Sequence, residues 1–443
     1  MKKESCEQLY NSILSKVSAD SCECTIRQDT ENLTRFANSS IHQNVRSDKT
    51  SIHLRIIKGQ KSGYSSTNDL SENGLTQLIK STELVLNNNE ADEELYPLPS
   101  ENEYDTIPFP HEDLSPAFHD PEKRADIVNN YCTEAKNNGV QAFGTVSSLH
   151  RSIFIGNTNG VKAFHTSTLA ETQCQMMKDT ASGFAQSSNT FIDQLETERV
   201  LEDSLWACLN SVKMQAVEAK PYEVILKPEA VEDILKMLKY MGFSTSAIHE
   251  NRSFLSGKLD ELVFDPDLSI TDNAWDARQV PMPFDFEGAP KKTVPLIVDG
   301  VFRHMVTDAK WSIKLKKENS GHGLPAPNPW GPVPIHLVLE GKKQRSQEDM
   351  IKDCAEGLLI TRFWYANPAH PKKAIATGLT RDGTFLIKNG KIQHAVNNLR
   401  YTDSLVKVLS GVLSCGNIMR LHDMTVTPAL HLKNLTFTGQ ASS

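Results

Sequence analysis

Between Asn87 and Glu122 the chain carries six prolines and eleven acidic residues, and not one lysine or arginine. Proline removes a backbone donor and fixes φ, so no continuous helix or central strand runs through such a stretch. Eleven like charges among few β-branched residues also leave little apolar surface to bury. The tract therefore predicts an exposed connector or a long surface loop that divides the chain. A docking strip for a basic partner is the other use of such an acidic run.

On either side the patterning changes. Residues 1–86 begin with Leu9, Ile13, Leu14 and Val17 at helical spacing, an amphipathic helix without the continuous apolar core of a signal peptide. Cytoplasm is the compartment this predicts. Cys24 and Ile26 open a strand, the polar DTEN run (Asp29 to Asn32) reads as a turn, and a second strand follows through Phe36. A third is expected at Ser51 to Ile57, where Ile52, Leu54 and Ile56 share a face. LSENGLTQLIKSTELVL then reads as a helix with Ser71 as N-cap and Leu70 as staple.

Beyond the tract, 123–218 reads as a second α/β portion. It has a helix from Lys123 to Asn138, a hairpin from Ser152 to His165 about an Asn/Gly-rich turn, and a long helix from Phe191 to Val212. From 219 to 443 a strand at Tyr222 to Leu226 precedes a helix with Val231, Ile234, Leu235 and Leu238 on one face. The remainder is strand-rich, with Asp299-Gly300 and Asn389-Gly390 between apolar runs as hairpin turns. The expected class is α+β: two N-terminal α/β portions (1–86 and 123–218), the linker 87–122, and a β-rich C-terminal domain (219–443) of antiparallel hairpins.

A net charge of −8 and a pI near 6 argue against a nucleic-acid surface, and no run of eighteen apolar residues offers a membrane span. Eight scattered cysteines include one close pair, Cys22 and Cys24, without a second pair to complete a metal site. They read as buried free thiols. G-x-S-x-G and Walker A sequences do not occur. Asp265, Asp267, Asp272, Asp276, Asp285 and Glu287 crowd one region without regular spacing, which favours loop and cap roles over a Ca²⁺ site or an acid/base pair.

A helical zinc site needs two histidines three to five positions apart on one face. The fourteen histidines here come no closer than eight positions, at His111 and His119. His-Glu occurs at His111-Glu112 and His249-Glu250, and neither is followed by a histidine at the needed spacing.

Five collinear blocks carry a family resemblance: RFANSSIHQNV (Arg35 to Val45), RSFLSGKLDELVFDP (Arg252 to Pro266), PFDFEGAPKKTVPLIVDGV (Pro283 to Val301), GLTRDGTFLIKNGKI (Gly378 to Ile392) and PALHLKNLTFTG (Pro428 to Gly439). Together they resemble the TldD/PmbA family, also called modulators of DNA gyrase. The resemblance implies a zinc peptidase assembled from two kinds of subunit. A TldD-type subunit bears H-E-x-x-x-H and a distant cysteine, and a PmbA-type subunit lacks them and helps form the peptide cleft. The substrates that the resemblance implies are leader peptides of ribosomally made precursors and unfolded peptides.

The family's metal motif falls where Leu238 to Ser246 stand, positions without histidine, glutamate or cysteine, and Cys415 stands one apolar position before the family's Gly-Asn. The expected role is the non-catalytic PmbA-like subunit, with no catalytic residue, metal or cofactor of its own and zinc on a TldD-like partner. A peptide-binding or chaperone-like homodimer, and a peptidase with an atypical site, stay open. Candidate peptide-cleft residues are Ser253, Phe254, Gly257, Asp285, Glu287 and Gly288, with Phe286 departing from the family's second acidic position. Gly257 and Gly288 would permit close backbone approach.

Overall fold

The computed structural model describes residues 1–440. Its N-terminal part is one antiparallel sheet of β1 (Ser21–Ala37), β2 (Ser40–Lys58), β3 (Lys61–Thr67), β4 (Gln141–Asn157), β5 (Lys162–Lys178) and β6 (Ala181–Asn189), in the order β3-β2-β1-β4-β5-β6. Strand β1 pairs with β2 along one edge and β4 along the other, so residues on both sides of the acidic tract build a single sheet.

Alternation along β1 sends Cys22, Cys24 and Ile26 to one face, where they pack with Ile52, Leu54 and Ile56 under α1 (Lys3–Leu14) and α2 (Glu72–Asn88). The Ser71 side chain accepts from the Gly74 N–H and caps α2 as its sequence predicts. The one-turn α3 (Pro116–His119) leads into α4 (Pro121–Asn137), which with α5 (Thr197–Asn210) covers the β4–β6 half of the same face.

The C-terminal domain holds β7 (Pro221–Leu226), β8 (Leu268–Asp272), β9 (Val294–Val298), β10 (Val301–Phe302), β11 (Leu337–Gly341), β12 (Gln344–Arg345), β13 (Glu356–His370), β14 (Ile375–Lys388), β15 (Lys391–Ala395), β16 (Leu399–Ser404), β17 (Val412–His422) and β18 (Thr425–Gln440). Because β7 pairs with both β13 and β18, the strands β18, β16, β14, β13 and β7 close into a ring. Helix α6 (Pro228–Gly242) packs against β13 and β18 through Val231, Ile234, Leu235 and Leu238, all buried. Burial of each such side chain contributes about 1.5–3 kcal/mol. The short α7 (Thr245–His249) and α8 (Ala309–Leu315) follow.

The fold is α+β, as expected, with three differences in detail. The DTEN run is not a turn: β1 passes through it, with Thr30 bonded to Asp48 and Asn32 to Ser148, and the chain reverses at Asn38-Ser39, both with positive φ. The helix expected over Phe191–Val212 is a 3₁₀ turn (Ile192–Gln194) and then α5. The C-terminal sheet is mixed, since β7–β13, β11–β18 and β12–β17 are parallel.

The acidic tract lies along the surface but is pinned at intervals. Leu98, Asp113 and Phe118 are buried, and the Asn157 and Asn159 side chains donate to the Pro99 and Leu98 carbonyls. Glu112 accepts from His150 and Thr166 on β4 and β5.

Candidate functional site

Odd-numbered residues of β1 point away from the helices, placing Glu23, Thr25, Arg27 and Asp29 on the face that meets the C-terminal domain. Register puts Arg55 and His53 of β2, and Ile153 and Arg151 of β4, beside them. Two hollows open between this face and the C-terminal domain. One, of about 210 Å³, is lined by Glu23, Arg27, Arg55, Tyr64, Phe286 and Pro325 among others. The second, of about 60 Å³, is lined by Arg151, His165, Val280, Met282, Phe286 and Met424 among others, and the two share Arg27, Ile153 and Phe286 as walls. Phe286 thus stands where the hollows meet.

Phe286 is presented by a tightly built turn. Oδ1 of Asp285 accepts from the Glu287 and Ala289 N–H groups and Oδ2 from Gly323 N–H. Glu287 accepts from the Tyr96 hydroxyl at 2.6 Å and from the Ala309 N–H at 2.9 Å. The Tyr104 hydroxyl donates to the Gly288 carbonyl, and Tyr96 also lies under the Arg55 guanidinium. Burial pushes the Asp285 carboxyl up to about 6 against its three backbone donors. Burial, then the neighbouring Asp285 and Asp308 carboxyls, push Glu287 well above the usual range. Their oxygens are taken by loop and strap donors, so the two acids hold the turn and present Phe286.

Charges on the sheet face are partly neutralised. Burial works upward on Asp29, but bonds from Arg27 and Arg151 outweigh it and hold that carboxyl below its ordinary value. Burial pushes Glu23 up to about 7, and its Oε2 lacks a hydrogen-bond partner. His165 donates through Nε2 to the Pro281 carbonyl at 2.9 Å, and burial holds its imidazole down to about 4. A floor of paired arginines, one orphaned carboxylate oxygen and Phe286 can bind amide groups and an apolar side chain.

Of the six candidate residues, Asp285, Glu287 and Gly288 come together in this turn. Ser253, Phe254 and Gly257 sit elsewhere in the C-terminal domain. The Ser253 hydroxyl donates to Gly242 O and accepts from Leu255 N–H, while Phe254 is buried against Phe243 and Phe264. Gly257 has φ +75, and a Cβ there would touch nothing within 4 Å. Glu23, Arg27, Arg55, Arg151 and His165 were not among the candidates, although the alternation in ECTIRQD already separates Glu23, Thr25 and Arg27 from the apolar face.

At the positions Leu238 to Ser246 most side chains belong to the core, while Tyr240 is exposed and, with Met241 and Ser244, lines a hollow of about 360 Å³. Leu238, Met241 and Phe243 are buried, and the Ser244 and Ser246 hydroxyls donate to the Trp330 carbonyl while Thr245 donates to that of Val306. His249 packs on the Trp311 ring, His111 stacks on His165, and Cys415 is a buried thiol beside Asp267.

The profile of the PmbA/TldA metallopeptidase C-terminal domain matches residues 219–439, and that of PmbA/TldA metallopeptidase domain 1 matches residues 22–85. An uncharacterized protein of Methanocaldococcus jannaschii is 24% identical over 281 residues, which span 61% of this chain and 63% of that protein. Among solved structures, TldE from Thermococcus kodakarensis superposes with a TM-score of 0.85 at 18% identity, covering 98% of this chain and 100% of that one. A Thermotoga maritima protein described as a modulator of DNA gyrase gives the same values. A protein of like description from Bacteroides thetaiotaomicron gives a TM-score of 0.84 at 18% identity, covering 99% of this chain and 98% of that one.

Proposed function

Because the chain belongs to the PmbA/TldD metallopeptidase family, we propose that it is the non-catalytic, PmbA-like subunit of a two-subunit peptidase. It pairs with a TldD-like subunit that brings the zinc and helps hold unfolded or leader peptides for cleavage. The observation that carries this reading is the residue content of Leu238 to Ser246. Where the family resemblance locates the metal motif, this chain has core side chains, an exposed Tyr240, and hydroxyls bonded to carbonyls, with no histidine, glutamate or cysteine among them. A helix end packed this way offers no converging nitrogens to a metal.

The peptide-holding part of the proposal rests on the hollows beside Phe286. Tyr64 and Ser65 of β3 line the larger one, and β3 is the outermost strand of its sheet, paired with β2 alone among the described residues. An extended peptide added along that edge would form main-chain hydrogen bonds usable by any sequence and lay a side chain toward Phe286.

Mixing the purified chain with an H-E-x-x-x-H-bearing TldD-type subunit tests the pairing. Gel filtration should give a one-to-one complex, and Phe286→Ala should weaken its affinity for an unfolded peptide without dissociating it. Failure to form any complex, with the chain running as a peptide-binding homodimer, would favour the partner-free reading instead.

A further inference from the structure

Three side chains of metal-ligating type gather on the C-terminal sheet, outside the hollows beside Phe286. Glu223 on β7, His431 on β18 and Cys354 just after α9 (Gln347–Asp353) bring a carboxylate oxygen, an imidazole nitrogen and a thiol sulfur within 4.8 Å of one another. We propose that this trio is a Zn²⁺ site, distinct from any peptide-hydrolysing centre of the family.

Position and chemistry both favour it. The backbone at each ligand is fixed. Glu223 lies opposite Gly357 in the parallel β7–β13 ladder, His431 lies in the β7–β18 ladder, and the Gly390 N–H donates to the Cys354 carbonyl. His431 Nε2 is 2.7 Å from Glu223 Oε1. A zinc ion between them needs that separation to open only to about 3.3 Å, the span of two tetrahedral ligands near 2.0 Å.

The donor set selects the ion. A thiolate excludes hard cations such as Mg²⁺ and Ca²⁺, whereas mixed sulfur, imidazole and carboxylate ligation suits Zn²⁺. The cysteine and histidine side chains are almost wholly buried, while the Glu223 side chain is 25% exposed and gives an ion its way in. Gly357 lets Cys354 pack this close to the β7 backbone beside Glu223. A Cβ there would stand 2.6 Å from the Cys354 sulfur and 2.6 Å from the Glu223 carbonyl oxygen. On binding, Cys354 releases its proton to solvent and becomes a thiolate ligand. Water supplies the fourth ligand, and no oxidation or reduction takes place. This narrows the expectation of a zinc-free chain to the hydrolytic site alone.

The full-length chain, stripped of metal with a chelator, is titrated with Co²⁺ and then with Zn²⁺. The site predicts a thiolate-to-cobalt charge-transfer band at about one equivalent, erased by Zn²⁺, with thermal stability raised by the bound ion. Cys354→Ser should abolish the band and His431→Asn should weaken zinc binding at least ten-fold. Glu223→Gln, which keeps a hydrogen-bonding partner for His431, should also weaken binding in a chain with an unchanged circular dichroism spectrum. A folded wild-type chain without the band, or a Cys354→Ser chain that binds zinc as tightly, overturns the proposal. Because the readout is metal binding to the isolated chain, the result is independent of whether it pairs with a zinc peptidase.

Discussion

The Tyr96 hydroxyl donates to Glu287 Oε1 at 2.6 Å, joining the acidic strap to the turn that presents Phe286 from the C-terminal domain. Glu287 is buried, and its other oxygen already accepts from Ala309 N–H. Tyr96→Phe therefore leaves a buried acceptor unsatisfied and should lower unfolding free energy by about 1–3 kcal/mol. Chemical denaturation measures the loss. In a double-mutant cycle with Glu287→Ala, which removes the acceptor, the two effects should not add. Additive effects would mean that the two groups do not act together.

The two turn glycines should respond differently. Both have positive φ, +77 at Gly288 and +75 at Gly257. A Cβ at Gly288 would also stand 2.5 Å from Val161 Cγ1, whereas at Gly257 it would touch nothing. Gly257→Ala should cost about 1–2 kcal/mol from backbone strain alone, and Gly288→Ala about 1–3 kcal/mol more from the clash. The positive φ at Gly257 rules out the stability-neutral substitution that an exposed turn would otherwise allow. Equal losses at the two sites would contradict the packing described.

A protease that cuts after glutamate should nick the strap at its exposed acids Glu101 and Glu103 before other sites. The fragments should nevertheless co-elute on gel filtration, because β1 from one side of the cut pairs with β4 from the other. Separation of the fragments would show that the shared sheet does not hold them.

His165 is neutral in the fold, its imidazole held down to about 4 first by burial and then by His111, from an ordinary value of 6.5. A depressed imidazole contributes stability that is full above pH 6.5 and is lost as pH falls toward 4, where the unfolded chain binds the extra proton. Glu23 and Asp233, both pushed up to about 7 by burial, act in the opposite direction over the same range. The clean observable is thus a difference between two proteins. His165→Gln, which keeps a donor for Pro281 O, should reduce the acid loss of stability by up to about 1.4 kcal/mol per pH unit between pH 6 and 4.5. Parallel curves for variant and wild type would refute the assignment.

What the sequence made legible was local. Ser71 as a cap, Asn389-Gly390 as the β14–β15 turn, and the apolar stripe of α6 each depend on residues a few positions apart. The DTEN run misled because its polar side chains find partners 18 and 116 residues away, in Asp48 and Ser148, which no local pattern reveals. The candidate site was half legible. Asp285 to Gly288 is a turn beside the cleft, but its opposite wall comes from Glu23, Arg27 and Arg55, brought there by sheet register alone. Ser253 and Phe254 stood out as a motif because the fold needs them, one fastening the end of α6 and the other filling an aromatic core.

The proposed role, shaping a peptidase without performing its hydrolysis, has one direct test. The direct measurement is turnover of an unfolded, fluorogenic peptide by the chain alone, supplied with excess Zn²⁺, and by the same chain mixed with an H-E-x-x-x-H-bearing TldD-type subunit. The account predicts no turnover above background for the chain alone, and chelator-sensitive turnover once the second subunit is present. Chelator-sensitive cleavage by the chain alone, undiminished after repurification and lost on denaturation, would contradict it.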